Sequence, residues 1–187
     1  MSQVDNLAME TYISILRGIN VSGHKLIKMA DLKVLYESLG FKEVITYIQS
    51  GNVIFKAEKK GDLAIIIGNK IQDKYKFEVP ILVRKAEEIK RVSETNPFMK
   101  EKGIDEEKLH VTFLAEPPSK ADLEAIKKIN HSPDRFVITG KEVFLYCPGG
   151  YGNTKLSNTF FENKLKIQAT TRNWKTVNKL VELAQYK

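Results

Sequence analysis

Apolar residues along this chain change their spacing at intervals, and each change marks an element. Residues 11–17, TYISILR, form a near-continuous apolar run of strand length. Residues 18–28 contain Gly18, Asn20, Ser22 and Gly23 and read as a loop. Over 29–39 apolar side chains recur at helical spacing (Met29, Leu32, Leu35, Tyr36, Leu39), and Gly40 follows as a helix-ending residue. Strands at 44–48 and 53–57 are joined through Gln49-Ser50-Gly51-Asn52, a hairpin signal. A helix over 62–75 and a strand over 79–84 complete the order βαββαβ.

The pattern then restarts. After a connecting helix at 86–94 and an irregular stretch at 95–107, a strand is expected over 109–115. Ser119 caps a helix running to about residue 130, with Asp122 placed for a capping box. Strands at 135–138 and 142–146 flank a turn at Thr139-Gly140-Lys141. A helix over 156–164, a strand over 167–171 and a final helix over 174–185 close the chain. The fold class is therefore α+β, with two tandem ferredoxin-like βαββαβ units and antiparallel sheets. The expected organisation is an N-terminal unit at 1–85, a connecting helix and linker at 86–108, and a C-terminal unit with an extra terminal helix at 109–187. Strands such as Val53-Ile54-Phe55 and Val143-Phe144-Leu145 do not alternate, so both sheet faces should be covered, by the other half or by a partner chain. A covered face, with no basic-Gly-aromatic signature, argues against an RNA-recognition module.

Composition adds a bias in charge. The 187 residues carry 42% hydrophobic side chains, ordinary for a globular chain, and a net charge of +7. Much of the excess falls in residues 151–187, with seven Lys/Arg against two acids. An anionic partner follows: an anionic small molecule first, and nucleic acid on the basic C-terminal surface as the less favoured choice. The start of the chain has no apolar leader segment, no apolar run reaches the length of a membrane span, and Cys147 is the only cysteine. These features point to a cytoplasmic protein with no membrane partner. They carry no signature of oligomeric state.

Ferredoxin-like topology gathers two polar clusters. At one end of the first unit it places Arg17, Asn20 and His24 near Gln49 and Asn52. At the opposite end of the second unit it places the turn of Gly149, Gly150 and Gly152, followed by Lys155 and Ser157, beside Arg172 and Asn173. Backbone N–H groups at a helix start, a lysine and an arginine suit a phosphate or carboxylate. The turn is not a Walker loop, because Asn153-Thr154 stands where Gly must precede the lysine. His24, His110 and His131 are isolated, so no metal site is expected, and no cofactor motif is present. Cys147 precedes Pro148 and reads as an inert buried thiol; Trp174 shares a helical stripe with Val177, Val181 and Ala184 and reads as core. An enzyme using His24 near Gln49 and Asn52 is a further reading, and an interaction protein with an apolar patch is another.

Several segments carry a resemblance: YISILRGINVSGH, MADLKVLYESLGF, TYIQSGNVIF, the NPF at 96–98, NTKLSNTFFENKL and ATTRNWKTVNKL. In order, they resemble the motifs of the bacterial family catalogued as domain of unknown function 1697, over residues 12–183. The resemblance implies a duplicated ferredoxin-like fold and brings no established activity. Ser22 departs from the glycine frequent in that family's first loop.

Overall fold

The computed structural model describes residues 9–58 and 61–185. The start of the chain read above for a leader, residues 1–8, and the basic Lys187 lie outside the described residues. The elements are β1 (Glu10–Leu16), α1 (Met29–Ser38), β2 (Lys42–Tyr47), β3 (Asn52–Ala57), α2 (Leu63–Tyr75), β4 (Ile81–Lys85) and α3 (Ala86–Thr95). They continue as β5 (Leu109–Leu114), α4 (Lys120–Lys127), β6 (Arg135–Thr139), β7 (Glu142–Tyr146), α5 (Asn158–Leu165), β8 (Ala169–Asn173) and α6 (Trp174–Gln185). Two four-stranded antiparallel sheets result, in the orders β2-β3-β1-β4 and β6-β7-β5-β8. That is the ferredoxin-like arrangement, twice. One compact unit runs to Ile89 and takes back the chain from Leu180; the other is Lys90–Lys179.

Local chemistry sets the boundaries. The Asp62 carboxylate accepts from the amides of Ala64 and Ile65 and opens α2. Ser119 accepts from the Asp122 amide and donates to the Asp122 carboxylate at 2.6 Å, the reciprocal cap expected of that pair. Gly40 (φ +83) gives its amide to the Glu37 carbonyl just past α1. Two departures from the sequence reading bear on the candidate sites. α4 stops at Lys127, so residues 128–134 are loop. β8 runs two residues further than the apolar pattern signalled, and Arg172 and Asn173 belong to it.

The central strands of each sheet are buried on both faces. In the N-terminal unit Ser14 faces α1, where its hydroxyl shares a 2.8 Å hydrogen bond with the buried Tyr36 hydroxyl, while Ile13 and Ile15 on the other face are also fully buried. Tyr36 and Phe41 both pack on Phe55 at the centre of this core. In the C-terminal unit Leu114, Val143, Leu145 and Phe161 fill the helix-covered side, and Val111, Phe113 and Phe144 are buried on the other.

Candidate functional site

The first cluster assembles at the loop end of the N-terminal unit. The Leu16 amide donates to the Gly51 carbonyl and the Arg17 amide to the Pro80 carbonyl, which ties the end of β1 to the β2–β3 hairpin and to the start of β4. Asn20, in the left-handed region at φ +56, then clips the loop shut. Its Nδ2 donates to the carbonyls of Ile27 and Gln49, and its Oδ1 accepts from the Ile27 amide. Buried Asn52 donates to the Tyr47 carbonyl and the Ser50 hydroxyl. Both asparagine amides are thus engaged in holding backbone. His24 stands exposed on the loop, its own amide bonded to the Val21 carbonyl.

The second cluster divides between two faces of a sheet. Ser157 caps α5 by accepting from the Phe160 amide. The next residue, Asn158, accepts from the Thr171 hydroxyl at 2.6 Å, and Thr171 in turn meets Thr112 at 2.6 Å. Thr171 therefore faces the helices. Successive strand residues alternate, so Arg172 faces the other way. There it is 8% exposed, its Nη1 donates to the Thr171 carbonyl, and burial pulls its guanidinium down to about 10. Asn173 caps α6, accepting from the Thr176 amide at 2.8 Å. Arg172 and the Lys155–Ser157 turn are not brought together. Arg84 is the counterpart of Arg172: Ile13 pairs with Arg84 as Val111 pairs with Arg172, and Arg84 is 4% exposed. Sequence reasoning passed over Arg84 because the two halves share little identity outside their element order.

Lys155 has other neighbours. The Thr154 hydroxyl donates to Asp134 at 2.5 Å and accepts from the Leu156 amide, pinning the β7–α5 turn to the α4–β6 loop. His131, in that loop, packs edge-on against Phe136 and Phe160. Its Nε2 is buried without a hydrogen-bond partner among the described residues. Burial holds its pKa below the ordinary imidazole value; the Lys155 charge adds to this and Asp134 opposes it. Next to His131 lies a groove of about 750 Å³, lined by residues 127–137 with Phe98 and Glu101. Arg135 lines it, gripping Glu101 through both Nη atoms at 3.2 and 2.9 Å and lying over the rings of Phe98 and Tyr146. Its two acids are hydrogen-bonded, Glu101 by Arg135 and Asp134 by Thr154; of its two exposed lysines, Lys127 lies 3.5 Å from Glu124. Of these groups the sequence reading counted Lys155 alone as a site residue and took His131 as isolated. The same topological rule that placed 148–157 also places the α4–β6 loop at that end, and would have found His131 and Asp134.

Other features of this end are structural. His110 stacks on Tyr151 with ring centres 4.7 Å apart, and burial lowers its pKa. Cys147 is fully buried, and burial pushes its thiol up to about 11. In the N-terminal unit a smaller cavity of about 400 Å³ is lined by Asp62 and Glu88, and its Lys85 is held by Glu10 at 2.6 Å, a setting that disfavours anions. Among the described residues no group of three or more His, Cys, Asp or Glu could hold a metal ion, and no helix is long and apolar enough to cross a membrane.

The family model described as "Protein of unknown function (DUF1697)" matches residues 9–144. The chain belongs to that family. The DUF1697 match takes in the first polar cluster and the groove, and ends before Lys155, Ser157, Arg172 and Asn173. Among solved structures, a conserved bacterial protein, SP0830 from Streptococcus pneumoniae, is similar at 22% identity and a TM-score of 0.68 over 95% of this chain and 99% of that one. That likeness shows a shared fold. None of the curated proteins matches the chain.

Proposed function

We propose that this DUF1697 chain binds a phosphorylated or carboxylated small molecule in the groove of its C-terminal unit. The observation that carries the reading is the pair of exposed lysines on that groove: Arg135 neutralises Glu101, the Thr154 hydroxyl occupies one oxygen of Asp134, Lys127 lies 3.5 Å from the exposed Glu124, and Lys128 is exposed. Lysine is a compact, strongly hydrated cation with three donors, suited to an anion that arrives with part of its water. Arg135 is committed to Glu101. The His131 ring lines the groove, and Lys155 adds long-range positive potential.

A thermal-shift screen against inorganic phosphate, nucleotides, sugar phosphates and dicarboxylates tests this. An anion at ~100 times its dissociation constant adds about 2.7 kcal/mol. For a chain of this size that raises Tm by roughly 5–10 °C. Lys127→Ala with Lys128→Ala should keep the unliganded Tm and lose the shift, since both lysines are exposed. No shift with any anion, or an equal shift in the double variant, would overturn the reading.

A further inference from the structure

We infer that the outer edge of β6 pairs with β6 of a second copy of this chain, joining two C-terminal sheets into one. Strand edges carry unpaired N–H and C=O groups, and proteins usually blunt them with bulges, charges or proline. The two units treat corresponding edges differently. β2, the edge of the N-terminal sheet, has a register shift between Lys42 and Ile45, a left-handed Glu43 at φ +50, and a Glu43–Lys56 ion pair. β6 has neither a register shift nor a left-handed residue. Its five residues pair with β7 in unbroken register, Arg135 with Tyr146 through Thr139 with Glu142. Its one charge, Arg135, is drawn aside onto Glu101. Val137 at its centre is 38% exposed.

The register decides the partner. The hairpin closes through the two-residue turn Gly140-Lys141, so Thr139 and Glu142 exchange both hydrogen bonds, as do Val137 and Phe144, and Arg135 and Tyr146. Phe136 and Ile138 then turn their backbone groups to the outer edge. These two positions are symmetric about Val137. An antiparallel second β6 centred there pairs Phe136 with the partner's Ile138 and Ile138 with the partner's Phe136, making four backbone hydrogen bonds about a two-fold axis. Centring on Phe136 would need the Asp134 amide, which is already given to the His131 carbonyl at 2.9 Å. Centring on Ile138 would need Gly140, which has left strand conformation at φ +60. In the remaining register Val137 faces the partner's Val137 as an apolar pair, and Arg135 faces the partner's Thr139, so no like charges meet.

Sedimentation of the intact chain tests this with two exposed substitutions, Val137→Lys and Val137→Glu, each checked for unchanged far-UV circular dichroism. The wild type should self-associate in a concentration-dependent way. Each variant places like charges directly opposite across the axis and should weaken association at least ~10-fold, from the roughly 1 kcal/mol scale of such pairs together with the lost apolar contact. An equimolar mixture of the two variants should restore the dimer as a heterodimer, because only this register sets position 137 against itself. A dimer indifferent to both substitutions would overturn the inference. So would a chain that stays monomeric at the highest soluble concentration, which would leave the edge to an extended segment of another protein.

Discussion

Gly51 shows how a single position can tie a loop to a hairpin. It sits at φ +80, and a Cβ there would meet Ile19 Cδ1 at 2.6 Å and Leu16 Cβ at 2.9 Å. Both the left-handed backbone and the crowding oppose any side chain. Gly51→Ala should therefore lose about 2–4 kcal/mol, the sum of left-handed strain and overpacking. Urea denaturation would read this as a lower midpoint at unchanged slope. Residues of this kind were partly legible. Ser119 and Gly40 announce their roles because capping depends on the residue itself and its near neighbours. The face of Arg172 was not legible. It depends on strand parity, and the apolar run ends before the strand does, because Thr171, Arg172 and Asn173 carry no apolar signal.

At the scale of elements, polar pairs hold helices to sheets. The chain of hydroxyls from fully buried Thr112 through Thr171 to Asn158 fixes the start of α5 over β5 and β8. Thr171→Val keeps the shape and removes the bridging hydroxyl, leaving the Thr112 hydroxyl and the Asn158 carbonyl without it. A loss of about 1–3 kcal/mol is expected. The double variant Thr112→Val, Thr171→Val should cost less than the sum of the single changes, because the two groups share one bond. Chemical denaturation of the three variants checks both statements. The order of strands and helices was readable throughout, since spacing and turn residues are local. The groove was not, because the loop that forms it exists only where α4 ends at Lys127, three residues before the helical pattern fades.

For the whole molecule, two histidines couple folding to pH. Burial is the first cause holding both His110 and His131 below the ordinary imidazole value of 6.5. Below about that pH the unfolded chain binds protons that the folded chain resists. The stability contribution of the neutral rings is therefore complete above 6.5 and is lost as pH falls through it. Stability should rise as pH approaches 6.5 from below, and His110→Gln should flatten that rise, read as the slope of unfolding free energy against pH. Duplication was visible at this scale as a repeated order of elements, and the two sheets repeat the same strand order. The functional reading moved from Arg172 to the groove because a sheet separates Arg172 from Lys155, a relation that no spacing along the chain encodes.

The most direct test of the groove as a binding site is a titration of the isotopically labelled chain with inorganic phosphate, followed by NMR at each backbone amide and at the His131 ring. Saturable shifts confined to residues 127–137 and the turn around Lys155 are the predicted result. Shifts that never saturate, or that scatter across exposed lysines with the His131 ring unmoved, would contradict it.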